Sequence, residues 1–255
     1  MKRLVIVSDL HCGSIFGITP TYWQEKRDSK YHKSQKESYQ TYLDLTNKWK
    51  NPDILLCNGD AIEGSATRQG GVELITTDRN LQCDMAVKCL ELWNAKQTLM
   101  TYGTPYHTGD TEDFEYNIAN RLDATIGGNL FFEAEGLVIN ARHKIGASSI
   151  PHGRATPLLK EIAWNLLNSV TCNEPIADIL IRSHVHYHVW VESEGRVAFT
   201  TPGLQLKRGR FGSRQCTGSI HWGAIRLGLD KGQIVEKEVI CKNLKGNKPR
   251  VIKIK

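Results

Sequence analysis

Three short clusters in this chain combine acids and imidazoles in a way that suits metal binding. Asp9 and His11 are separated by one residue, so both can point the same way from the end of a strand. Asp60 follows Gly59, and His184 and His186 are again spaced by one. Mixed carboxylate and imidazole ligands suit Mn, Fe or Zn better than Ca, Mg or a soft thiolate metal. Any one of these clusters arises often by chance. Five candidate ligands in order, each just past a strand-like run, do not.

Those runs must position them. Lys2–Ser8, Asp53–Cys57 and Thr98–Tyr102 are apolar stretches read as buried strands, the last two running into Gly59 and Gly103. Asp78–Ala95 and Glu112–Ala124 have helical spacing. A further helix is expected from Thr156, read as its N-cap, with Pro157 at the first helical position. After Cys172 the chain reads as short strands: Ile179–Arg182, Tyr187–Glu192, Val197–Thr201, Ile220–Leu227 and Ile234–Cys241. Glu194-Gly195 and Asp230-Lys231-Gly232 are the strongest hairpin signals. Strand and helix alternate first and strands dominate later, which predicts one α/β domain with packed sheets over residues 1–241. Residues 242–255 carry six basic residues and no acid, and are read as a basic tail.

Asp9-Leu10-His11, Asn58-Gly59-Asp60 and Ser183-His184-Val185-His186 resemble the DxH, GD and GHxH blocks of the calcineurin-like metallophosphoesterases. The order and spacing agree across roughly residues 1–200. The resemblance implies a four-layer αββα sandwich of two packed mixed sheets. It also implies hydrolysis of a phosphoester by a hydroxide shared between two divalent ions, manganese foremost, with iron, zinc or nickel as substitutes. Asp9, His11 and His186 would hold one ion, Asp60 would bridge, and His184 would help hold the second. His143, past the apolar run Leu137–Asn140, matches the family's isolated histidine, with His152 as the fallback. One block departs: where the family has Gly-Asn-His and then an acid, this chain has Gly103-Thr104-Pro105-Tyr106-His107, with Asp110 following. The asparagine is missing, so His107 is either the general acid, oriented by Asp110, or a replacement ligand.

Bulk composition sets wider bounds. The 255 residues suffice for one large domain with a core. Seven scattered cysteines with no CxxC pair argue for reduced thiols. No apolar run is long enough for a membrane span or signal peptide, so a cytoplasmic location without membrane partners is expected. The net charge of +6 permits a polyanionic partner without demanding one.

Two segments bear on substrate. Cys12–Ser38 has no strand pattern and is read as a loop interleaving Phe16, Tyr22, Trp23 and Tyr31 with Lys26, Arg27, Lys30, Lys33 and Lys36. Gly203–Arg214 contributes Lys207, Arg208 and Arg210, expected to contact substrate. Such residues could stack bases and grip phosphates, which favours a phosphodiester in DNA or RNA, a nuclease-like activity. Alternatives are a phosphomonoesterase or protein phosphatase of the same family, or a nucleic-acid-binding accessory protein with a degenerate metal site. The remaining His32, His188 and His221 are read as structural, with His188 on the same face as His184 and His186.

Overall fold

The computed structural model describes the chain except residues 26–28, 30, 68–69, 110–112, 208, 210–217, 243–253 and 255. Among the described residues, eleven strands form two sheets. The first is ordered β11 (Gln233–Lys242), β10 (Trp222–Asp230), β1 (Lys2–Val7), β2 (Ile54–Asn58), β3 (Gln97–Thr101) and β4 (Thr125–Gly127). Strands β1 to β4 are parallel, and β10 and β11 join antiparallel at one side. The second sheet is ordered β5 (Leu130–Ala134), β6 (Leu137–Ala141), β7 (Ile179–Arg182), β9 (Arg196–Thr200) and β8 (Val189–Ser193). Its middle strands β6, β7 and β9 are parallel.

Side-chain alternation explains the layering. Leu4 and Ile6 of β1, with Ile54 and Leu56 of β2, face Ile139, Ala141, Ile179, Ile181 and Phe199 of the other sheet. The opposite faces, Val5, Val7, Leu55 and Cys57, pack under helices α1 (His32–Lys48), α2 (Arg79–Glu91) and α4 (Phe114–Arg121). On the far side, Leu158 and Ile162 of α5 (Thr156–Thr171) cover Leu180 and Ala198. The result is helices, sheet, sheet, helix: the expected four-layer sandwich of two mixed sheets. Strands buried on both faces need continuous apolar runs, which is why β1 and β2 stood out in the sequence.

Several expectations need correcting. Cys12–Ser38 is not wholly loop, because α1 begins at His32 and runs seventeen residues. Its buried face is made of Gln35, Ser38, Tyr39, Tyr42, Leu45 and Thr46, too polar to show as an apolar stripe. Thr156 is not an N-cap: a 3-10 turn, Pro151–Ala155, feeds the helix directly, Ala155 takes the cap position and Thr156 is the first helical residue. The strand read from Tyr187 starts at Val189, because Tyr187 and His188 still belong to the turn after β7. Both hairpin signals hold, with left-handed backbone at Glu194-Gly195 and Lys231-Gly232. The tail read from residue 242 begins one residue too early, since Lys242 pairs with Trp222; of the rest, only Ile254 is described. No described helix is long and apolar enough to cross a membrane.

Candidate metal centre

The candidate ligands come together where parallel strands of both sheets end. Asp9 leaves β1, Asp60 leaves β2, His143 follows β6, and His184 and His186 follow β7. This is where open α/β sheets place their sites, because the loops there splay away from the strand ends. Backbone hydrogen bonds bind the first two loops together: Asp9 N–H to Gly59 O and His11 N–H to Asp60 O, each 3.0 Å. Asp9, His11, Asp60, His184 and His186 all have left-handed backbone, with φ of 53°, 47°, 53°, 72° and 55°. Non-glycine residues adopt this region rarely, and such conformations persist only where surroundings enforce them. These five positions carry that cost, and His143 does not.

Two triads emerge. Ligand atoms of Asp9, His11 and His186 lie within 4.8 Å of one another, as do those of Asp60, His143 and His184. His186 Nε2 is 3.0 Å from Asp9 Oδ1, and His143 Nε2 is 2.9 Å from Asp60 Oδ2. His11 Nε2 and His186 Nε2 are 3.4 Å apart. His143 Nε2 also lies 4.0 Å from Asp9 Oδ1, so the triads are neighbours. These are the residue sets that the resemblance would assign to two ions. His152 lines a cleft beside α5 to which neither triad contributes a residue.

The donor set fits divalent cations on a further ground. Both Asp9 carboxylate oxygens and His143 Nε2 are buried without a hydrogen-bond partner; the 3.0 Å and 2.9 Å approaches to histidine nitrogens are close but not aligned as hydrogen bonds. A buried carboxylate left unanswered is costly, and a cation answers it. Within the protein alone, histidines take that role. Burial pushes Asp9 up, but His186 and His143 outweigh it and hold the carboxyl well below its usual range. Burial likewise opposes the charge on Asp60, yet His143 and His107 hold it low. Burial pushes His143 down, and Asp60 then lifts it to about 10. Divalent ions would take over this counter-charge from the protons.

The tautomers are fixed from behind. His143 Nδ1 is 2.7 Å from Asn58 O, and His107 Nδ1 is 2.7 Å from Glu63 O. A carbonyl only accepts, so each Nδ1 carries a proton and Nε2 is the ring nitrogen left to face the centre. His11 Nδ1 is 2.9 Å from buried Glu63 Oε2, close though off-line for a hydrogen bond. Beneath the site, hydrogen bonds join Thr101, Asn58, Ser183, Thr201 and Ser8 in one buried chain linking both sheets. Gly59 is required by space: with φ of 80°, its absent Cβ would sit 2.5 Å from the His143 ring. Gly103 is required too, for a Cβ there would sit 2.1 Å from Asp60 Oδ1.

The departing block forms a short helix, α3 (Pro105–Thr108). Thr104 stands where the family has asparagine, and it donates its backbone N–H to Asp60 Oδ1 at 2.7 Å. His107 faces inward, with ligand atoms of His11, Asp60 and His107 within 4.8 Å. Burial lowers its pKa, but Asp60 and Glu63 raise it more, and the net shift is upward. Asp110, expected to orient His107, lies outside the described residues, as do Arg208 and Arg210. Lys207 sits with its Nζ 4.5 Å from the Phe16 ring, tying together the two segments read as substrate loops.

Sequence reasoning missed two acids. Glu63, three residues past Asp60, stands behind both His11 and His107. Glu115, fully buried at the start of α4, accepts from Ala61 N–H at 2.9 Å and Gly103 N–H at 2.6 Å. It joins the loop carrying Asp60 to the loop carrying Thr104. Burial and the nearby Asp60 raise its pKa to about 7. Nearness to Asp60 in sequence could have flagged Glu63; nothing in the chain flagged Glu115. His188, read as structural on the face of His184 and His186, meets Thr200 O through Nδ1 at 2.7 Å.

No protein-family model matches the chain, and no curated protein matches it. Among solved structures it is similar to an archaeal phosphodiesterase, at 13% identity and TM-score 0.49, covering 93% of this chain and 99% of that one. It is also similar to Vps29 from Entamoeba histolytica complexed with zinc, at 13% identity and TM-score 0.45, covering 90% and 87%. A predicted phosphoesterase from Streptococcus pneumoniae is 12% identical with TM-score 0.40, covering 90% and 83%. At such identities and TM-scores these likenesses carry no function across to this chain.

Proposed function

We propose that this chain is a metal-dependent phosphoesterase that hydrolyses a phosphodiester, with a nucleic-acid strand as substrate. The observation that carries the reading is the pair of adjacent acid–imidazole triads, one containing a buried carboxylate whose oxygens accept no hydrogen bond. Asp9, His11 and His186 would hold one ion, and Asp60, His143 and His184 a second, with Asp60 near both. Two divalent ions there, manganese by preference, would supply Lewis-acid charge for the phosphoryl oxygens and make a water acidic enough to attack near neutral pH.

The chain's own residues do the rest. Imidazoles ligating as neutral groups leave the positive charge that a phosphate must meet. Asn58 O holds His143 through Nδ1, and Glu63 stands behind His11. His107 lies 3.9 Å from Asp60 Oδ2, with Nδ1 locked on Glu63 O, so its Nε2 is the group placed to pass a proton to the leaving oxygen. His184, whose side chain is 36% exposed, marks the side open to substrate. The charge of +6 and the basic, aromatic segments around Phe16 and Lys207 support a polyanionic strand over a small phosphomonoester.

The test is a panel with Mn²⁺: bis(p-nitrophenyl) phosphate, p-nitrophenyl phosphate, single- and double-stranded DNA, and RNA. Turnover of the diesters and of a nucleic acid is expected. Turnover of the monoester alone would overturn the substrate class, and no turnover with any divalent ion would overturn the enzyme reading.

A further inference from the structure

The loop bearing His184 and His186 is flanked by a cationic pair that none of the roles above uses. Arg154, on the 3-10 turn Pro151–Ala155, lays its guanidinium over the Tyr187 ring, with Cζ 4.4 Å from the centroid. Among the described residues no carboxylate is in ion-pair contact with it, and its Nε is buried without a hydrogen-bond partner. One guanidinium nitrogen lies 2.4 Å from where a Cβ would stand on Gly218, so Arg154 reaches across to the segment that carries His221. His221 is fastened to the metal loop through its backbone, donating N–H to His186 O at 2.8 Å. Its Nδ1 accepts the His188 backbone N–H at 3.0 Å. That contact places the proton of a neutral imidazole on Nε2, making it a donor.

A guanidinium without an acid and an imidazole N–H donor therefore sit together beside the metal loop. Neither has an anionic partner among the described residues. The buried Nε of Arg154 without an acceptor is unfavourable unless a ligand completes it. Guanidinium and N–H donors in that combination match a phosphate, which accepts several charge-assisted hydrogen bonds. The same turn borders a cleft of about 920 Å³ lined by Arg142, His152, Lys160 and Trp164. Trp164 is 49% exposed and offers a face on which a base can stack.

Resting on the phosphodiesterase reading, we infer that Arg154 and His221 form a second phosphate subsite, which takes the phosphate next to the scissile one in a nucleotide strand. Two probes that differ by one phosphate test this: thymidine 5′-monophosphate and thymidine 3′,5′-bisphosphate, titrated calorimetrically into the Mn²⁺-loaded full chain. The second phosphate should tighten binding by about 10-fold or more. Arg154→Ala should remove most of that gain, and Arg154→Lys should restore part of it. Equal affinity for the two probes in the wild type, or a gain that survives in Arg154→Ala, would overturn the subsite. Binding is read without turnover, so the outcome stands apart from the phosphoesterase reading, which fails only if bis(p-nitrophenyl) phosphate is not hydrolysed.

Discussion

Thr104 donates its backbone N–H to Asp60 Oδ1 at 2.7 Å, and its hydroxyl lies 3.2 Å from the same oxygen. A residue where the family resemblance would place a ligand thus hydrogen-bonds the Asp60 carboxylate instead. Its side chain already points at the centre, so an amide there would reach it. Thr104→Asn should therefore tighten binding of the second Mn²⁺, while Thr104→Ala should leave stoichiometry intact with weaker affinity. Metal titration by calorimetry reads both. Loss of the second ion in Thr104→Asn would show that the amide cannot take that place.

Glu63 backs His11 with Oε2 2.9 Å from Nδ1, both side chains buried. Carboxylates behind metal-ligating histidines typically contribute about 10–100-fold in metal affinity or activity. Glu63→Gln should lower Mn²⁺ affinity by that order while the fold, followed by circular dichroism, stays intact. An unchanged affinity would mean the backbone alone orients His11.

His107 has two possible roles, and leaving groups separate them. As a proton donor it matters most when the leaving oxygen is a poor one. His107→Ala should slow a dinucleotide far more, by about 100-fold or more, than bis(p-nitrophenyl) phosphate, with both ions retained. Equal losses on both substrates together with loss of metal would make it a ligand.

Away from the centre, Asp53 joins β1 to β2. It accepts from Arg3 N–H at 2.8 Å and from Lys96 Nζ at 2.7 Å, and these two contacts hold its pKa below the usual 3.8. A depressed folded pKa contributes stability above the unfolded value and loses it as pH falls through the folded one. Asp53→Asn should cost up to about 1 kcal/mol at pH 7, given the exposed Lys96 partner. The difference from wild type should shrink as pH drops below about 3.8, read by urea unfolding across pH. A difference that persisted at pH 2 would assign the effect to something other than ionisation.

The sequence made much of this legible because the demands fall on single residues. Buried parallel strands need unbroken apolar runs, so β1 and β2 were visible, and their ends located Asp9 and Asp60. Gly59 and Gly103 were visible as glycines, though only the structure explains them, through the His143 ring and the Asp60 carboxylate. Helix α1 was hidden because it buries Gln35, Ser38 and Thr46 beside its tyrosines. Glu115 was hidden because its partners are backbone N–H groups of Ala61 and Gly103, which have no sequence signature. Arg154 and His221 were hidden for a similar reason: 67 residues separate them in the chain, and only folding brings their segments to the same loop.

Metal held by the two triads for phosphodiester hydrolysis is tested most directly by one comparison. Hydrolysis of bis(p-nitrophenyl) phosphate is measured for wild type and His186→Ala, with Mn²⁺ and with chelator, alongside the metal content of each protein. Turnover by the wild type that needs Mn²⁺, with loss of metal and of at least about 100-fold in rate in His186→Ala, is the predicted result. Full activity in His186→Ala, or activity indifferent to chelation, would contradict it.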